Sequence, residues 1–150
     1  MNTIEAITEI LKREGVKYLP CFPTTPVIEA AALGGIRPIV CRQERVGVGI
    51  ADGISRISNG DQMGVFAMQY GPGAENAYPG IASSFSDSVP LLLLPLGHPR
   101  ERAGIAPHYS SLKGYDDITK AIEQVNAPNR TSDIMRRAFA GLRQGRGGPM

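Results

Sequence analysis

A chain of 150 residues, 42% hydrophobic and 20% charged, has enough apolar mass for one domain with a real core. A formal charge of +2 and the lack of any basic run interleaved with aromatics give no footing for nucleic-acid binding. No apolar stretch reaches the length of a membrane span, and Lys12, Arg13 and several acids break up residues Met1 to Gly15, unlike a signal peptide; the expected compartment is the cytoplasm.

The first helix is predicted from Asn2, which can cap it with Glu5 reaching back, through the apolar stripe Ile4, Ile7 and Leu11 to Gly15. Val16 to Phe22 reads as a short strand. Thr25 followed by Pro26 is a good cap and first-turn pair for a second helix through Val27, Ile28, Ala31 and Leu33, stopped by Gly34-Gly35. Pro38 to Arg42 is the second strand. Arg45 to Ile57 is the third helix, with Val46, Ile50, Ile54 and Ile57 on one side. Gly47, Gly49 and Gly53 each cost that helix about 1 kcal/mol against alanine, so close approach to another backbone or a ligand is expected there. Gly64 to Met68 is a strand, Ala74 to Phe85 a helix, and Leu91 to Leu94 a strand apolar enough to be buried on both faces.

Pro95 to Asp117, rich in Pro, Gly, Ser and charge, reads as a long loop over the sheet edge. Ile122 to Val125 is a weaker strand candidate. Thr131 or Ser132 is expected to cap a last helix carrying Ile134, Met135, Ala138, Phe139 and Leu142 and ended by Gly145. Gly147 to Met150 looks like the start of one more strand, which implies a portion of a longer polypeptide. The alternation predicts a three-layer α/β/α fold with a mainly parallel sheet of about six strands, the last incomplete.

Cys21 and Cys41 form no Cys-x-x-Cys pair and read as buried reduced thiols. His98 and His108 are isolated in the loop and read as solvated. No residue is assigned to a metal. Cys21-Phe22-Pro23-Thr24-Thr25-Pro26 stands where a dinucleotide site needs Gly-x-Gly-x-x-Gly, and no Walker lysine follows Gly71-Pro72-Gly73. There is no serine nucleophile elbow.

Two unusual segments remain, each after an apolar strand and opening a helix: Arg42-Gln43-Glu44-Arg45, leading to Ala51-Asp52-Gly53, and Gly71-Pro72-Gly73-Ala74-Glu75-Asn76. In an open α/β sheet both fall at the carboxyl edge, where ligands bind. Asp87-Ser88-Val89-Pro90 and the strand Leu91 to Leu94 follow in order. With this set in register, the chain resembles the pyrimidine-binding domain of thiamine-diphosphate enzymes of the acetolactate synthase-like group.

The resemblance implies that Glu44 is catalytic, bonding the cofactor's aminopyrimidine ring and favouring the tautomer that removes the thiazolium proton. It implies cofactor contacts from Phe22, Pro23, Glu44, Pro72 and Asn76, with Thr24-Thr25 in place of the family's Gly-Gly and Gln43 in place of a common His. Burial would favour the neutral carboxyl and the helix start the ionised one. The family's Phe-Gln-Glu segment has no clear counterpart, Tyr109-Ser110-Ser111 lying near its place. The diphosphate-binding signature is absent, so the resemblance implies that a divalent metal such as Mg sits on a separate diphosphate-binding domain, usually of a second subunit. The chain alone is then expected to be inactive. The complete enzyme, a homo-oligomer, would decarboxylate 2-oxo acids, with or without carboligation. Alternatives are a separate pyrimidine-binding subunit of a two-chain decarboxylase, and a non-catalytic binding domain of the same fold.

Overall fold

The computed structural model describes residues 2–23 and 25–150. Asn2 and Glu5 form the expected reciprocal cap on α1 (Thr3–Arg13), each side chain accepting from the other's backbone N–H at 2.9 Å. Then follow β1 (Tyr18–Cys21), α2 (Val27–Leu33), β2 (Arg37–Val40), α3 (Glu44–Ile57), β3 (Gly64–Met68), α4 (Pro72–Ser86) and β4 (Leu91–Pro95). A one-turn α5 (Ser111–Gly114) and α6 (Thr131–Arg143) complete the helices. At α2 the cap position falls on Pro26, one residue later than the Thr-Pro pair predicts, although Thr25 Oγ1 still accepts from the Val27 N–H at 3.2 Å. Thr24, the other half of the Thr-Thr substitution, lies outside the described residues.

The strands form one parallel sheet in the order β2-β1-β3-β4. β1 pairs with β2 along its whole length but meets β3 only at Cys21 opposite Ala67; Pro20 has no N–H to contribute to a longer ladder. Side chains alternate along β3 and β4. Val65, Ala67 and Leu92 join α1, α2 and α6 in one core, while Phe66, Met68, Leu91 and Leu93 join α3, α4 and Tyr115 in the other. The three layers therefore stand as predicted.

The sheet has four strands rather than six. Ile122 to Val125 is not a strand: its two apolar residues lie three apart, outside the period of two, and both are only half buried. At the far edge Pro149 does pair in parallel with Leu91, and Met150 exchanges bonds of 2.8 Å with Leu91 and Leu93. The final segment thus sits beside β4 as a bridge, not as a full strand.

Three further expectations are corrected. Val46 and Ile57 of α3 are exposed, at 52% and 90%, whereas Gly47, Val48, Ala51 and Ser55 form the buried face. Small residues face inward because α3 lies close on β3: a Cβ on Gly64 would fall 1.9 Å from the Ala51 carbonyl oxygen, and one on Gly47 2.1 Å from the Phe66 ring. A Cβ on Gly49 or Gly53 would meet nothing else in this chain within 4 Å. Neither Thr131 nor Ser132 caps α6. A 3-10 turn, Pro128–Arg130, runs into the helix, so Thr131 is already helical, and its Oγ1 is buried without a hydrogen-bond partner. The loop expected over Pro95 to Asp117 holds α5 and two 3-10 turns, and it drives Tyr115 into the core.

Candidate functional site

Parallel strands followed by helices bring the positive ends of α3 and α4 to the carboxyl edge of the sheet. Glu44 is the first residue of α3 and only 5% exposed. At the start of α4, Gly71 adopts φ +61°, a left-handed conformation suited to glycine, and Pro72 occupies the first helical turn, where its missing N–H costs nothing. This sharp turn brings the next residues of α4 against α3. Asn76 Nδ2 donates to Glu44 Oε2 at 2.5 Å.

Gly73 completes the contact. A Cβ there would lie 3.0 Å from Glu44 Oε1 and 2.5 Å from Gln69 Cγ. Oε2 is therefore held by Asn76, while Oε1 lies over a backbone with no side chain and accepts no hydrogen bond from the described residues. A buried carboxylate with one oxygen committed and one open is a directed group, suited to a donor or protonatable nitrogen on a ligand.

Of the other candidate residues, Pro72 shares the turn and is exposed, as is Pro23; Phe22 is half buried. The Phe22 N–H donates to the Ala67 carbonyl at 3.0 Å, which fixes the end of β1 beside the end of β3. Among the described residues no hydrogen bond joins Phe22 or Pro23 to Glu44 or Asn76. Phe22 and Pro23 follow β1, the strand between β2 and β3, at the same carboxyl edge of the sheet.

Tyr115 belongs to the same region and carries no signal in the sequence beyond being an aromatic inside a polar loop. It is 1% exposed, and its hydroxyl donates to the Ala74 carbonyl at 2.5 Å, bracing the first turns of α4 from below. Burial pushes the Tyr115 phenol far above its ordinary range, and the neighbouring Tyr109 and Glu44 add to the push. Tyr109 is raised likewise, by burial first and then by Glu75 and Tyr78. His98 is not a solvated loop residue: it is half buried, its ring 4.6 Å from those of Tyr70 and His108, and its Nε2 lies 3.2 Å from the Tyr109 carbonyl oxygen.

Cys21 and Cys41 are free, buried thiols, as expected. Burial pushes the Cys21 thiol up to about 11, with Cys41 adding to the rise and a bond toward the Ile39 carbonyl opposing it. No described helix is long and apolar enough to cross a membrane.

The family model for "Thiamine pyrophosphate enzyme, N-terminal TPP binding domain" matches residues 1–126. The chain is 32% identical over 155 residues to a probable acetolactate synthase large subunit of Methanocaldococcus jannaschii, a match covering all of this chain and 26% of that protein. It is 37% identical over 98 residues to the acetolactate synthase large subunit of Haemophilus influenzae, and 34% identical over 98 residues to the isozyme 3 large subunit of Escherichia coli. Each of these covers 63% of this chain and 17% of the relative, so the chain spans about a quarter or less of the relatives it matches. On the family match, which takes in Glu44, the Gly71-Pro72-Gly73 turn and Asn76, the chain belongs to the N-terminal domain family of thiamine pyrophosphate enzymes.

Proposed function

We propose that this chain is the pyrimidine-binding portion of a larger thiamine-diphosphate enzyme that acts on 2-oxo acids in the cytoplasm, by decarboxylation with or without acetolactate synthase-like carboligation. The observation that carries the reading is the Glu44 carboxylate, 5% exposed and fixed at 2.5 Å by Asn76. The residues present fit the cofactor. An open, buried carboxylate oxygen suits a ring nitrogen, and the glycine beneath it lets α4 approach the carboxylate closely. When bound, thiamine diphosphate supplies the carbon nucleophile that 2-oxo acid chemistry needs.

What the chain itself contributes is orientation and a proton partner. Glu44 Oε1 would hold the ring nitrogen, and Asn76 keeps the carboxylate from rotating away. Fixing an acid in place ahead of the reaction removes the reorganisation that would otherwise slow proton transfer, typically worth about 100- to 10,000-fold. Phe22, Pro23 and Pro72 would wall the ring and limit water. A divalent metal such as Mg and the diphosphate grip belong to a domain outside this chain, supplied by a second copy of the complete enzyme. The outward apolar face of α3, with Val46 52% and Ile57 90% exposed, supports such an assembly, because it begins beside Glu44.

The test is Glu44→Gln in the complete enzyme at saturating cofactor. The expected result is a loss of turnover of at least about 100-fold. Near-normal turnover would remove the assigned role.

A further inference from the structure

α3 and α4 run side by side from the same sheet edge, and their contacts repeat at a constant offset. Glu44 meets Asn76 and Asp52 meets Ser84, each pair 32 residues apart. Midway, Val48 faces Gly80 at the same offset: a Cβ on Gly80 would lie 2.9 Å from Val48 Cγ1. The seam is thus a ladder along the i, i+4 rows of both helices, with polar rungs at its two ends and a glycine contact between them. The lower rung lies about 12 Å along the helices from the upper one.

Ser84 is 1% exposed, and its hydroxyl donates to Asp52 Oδ2 at 2.7 Å. Arg56 holds Asp52 through Nε at 2.8 Å and Nη2 at 3.2 Å, and reaches Asp87, the C-cap of α4, at 3.0 Å. Among the described residues, three polar contacts join the two helices: Glu44–Asn76, Asp52–Ser84 and Arg56–Asp87. The Val48–Gly80 contact interdigitates between the polar rungs and opposes sliding sterically, while the polar rungs add directional bonds at the two ends. Burial, the largest single influence on Asp52, pushes its carboxyl up. The hydrogen bonds from Arg56 and Ser84 and the Arg56 charge together outweigh it and hold the group below its usual range. The lower rung is therefore a charge-assisted bond at neutral pH, shorter and stronger than a neutral one.

We infer that Ser84, Asp52 and Arg56 are positioning residues: they set the register of α4 against α3 and so hold Asn76 on Glu44 from two turns away. This rests on the assignment of Glu44 proposed above. A slip of α4 along the seam would move Asn76 Nδ2 off Oε2, and at the lower end the Arg56–Asp87 contact adds a second bond that opposes it.

The experiment uses the complete enzyme with Ser84→Ala, Asn76→Ala, the double variant and, as reference, Glu44→Gln. In the cofactor-free enzyme, amide hydrogen exchange in the first two turns of α4 is expected to quicken several-fold in Ser84→Ala. At saturating cofactor, Ser84→Ala is expected to lower turnover about tenfold, short of the ~100-fold that an ångström of misplacement can cost. That loss should vanish when Asn76 is already Ala, since both substitutions act through one contact. Arg56→Gln, at a half-exposed site that cannot threaten the core, should behave alike with a smaller loss. Losses from Ser84→Ala and Asn76→Ala that multiply, or unchanged α4 exchange in both Ser84→Ala and Arg56→Gln, overturn the inference. Wild-type turnover in Glu44→Gln would instead overturn the site assignment, and the amide exchange would still judge the ladder by itself.

Discussion

Adding a single methyl group at Gly73 puts steric pressure directly on the carboxylate. The new Cβ would stand 2.5 Å from Gln69 Cγ and 3.0 Å from Glu44 Oε1. The nearer atom is the Gln69 Cγ, one bond beyond Cβ, so relieving that contact takes rotation of the whole Gln69 side chain about χ1 or a shift of the backbone. Glu44 cannot move aside freely, because its other oxygen is bound to Asn76 at 2.5 Å and the residue is 5% exposed. An opening of a few tenths of an ångström must come from rotation of the carboxylate or from a shift of α4. Alanine also favours the helix over glycine by up to about 1 kcal/mol, which offsets part of the steric cost. After that offset, Gly73→Ala is expected to cost about 1–3 kcal/mol of unfolding free energy, the range of ordinary overpacking, while turnover of the complete enzyme at saturating cofactor falls at least about tenfold. Urea denaturation and cofactor-saturation kinetics read the two effects separately. Wild-type turnover and cofactor half-saturation in this variant would refute the reasoning that close contact with Gly73 fixes the Glu44 carboxylate for its role.

Gly64→Ala should cost more stability, since its Cβ would lie 1.9 Å from a backbone oxygen of α3 that has nowhere to go; denaturation should show a loss above about 3 kcal/mol, beyond ordinary overpacking, and a loss under about 1 kcal/mol would contradict the close contact of α3 and β3. Tyr115→Phe removes the hydroxyl bound to Ala74 and should cost about 1 kcal/mol at neutral pH. Because the folded phenol is raised above its unfolded value, Tyr115 contributes stability that is fully present below about pH 10 and is lost as pH rises further. The advantage of the wild type over Tyr115→Phe should therefore shrink above that pH in denaturation series, and an advantage that grows there would reverse the assignment. Ile57→Lys, at a position 90% exposed in this chain, should leave the chain's own stability unchanged and shift the complete enzyme toward monomer in sedimentation. Unaltered assembly would mean that the α3 face is not covered by a second subunit.

The sheet and its helices are legible because strands buried on both faces, such as Leu91 to Leu94, alternate with capped helices, such as the one that begins at Asn2. The site is legible for a related reason. A carboxylate and an asparagine at the starts of two helices that follow parallel strands lie at one sheet edge, and α3, crossing from β2 over β1 onto β3, brings them together. Periodicity misplaces the buried face of α3 because it assigns the larger apolar residues to the core. Here glycine, alanine and serine face inward, and only the packing against Gly64 and Phe66 reveals that closeness is the requirement. Tyr115 escaped for want of any period: one aromatic among Gly, Ser and Asp looks like a loop residue until the loop folds back beneath α4. Thr131 shows the limit of capping signals, since a proline-led 3-10 turn began the helix before the threonine could act.

The central claim is that the Glu44 carboxylate governs the acidity of the cofactor's thiazolium carbon. The rate at which that proton exchanges for deuterium in the bound cofactor, followed by rapid quench and NMR, measures this without any substrate. Wild-type enzyme should exchange at least about 100-fold faster than Glu44→Gln. Exchange rates within about twofold of each other, against that expected 100-fold, would contradict the account.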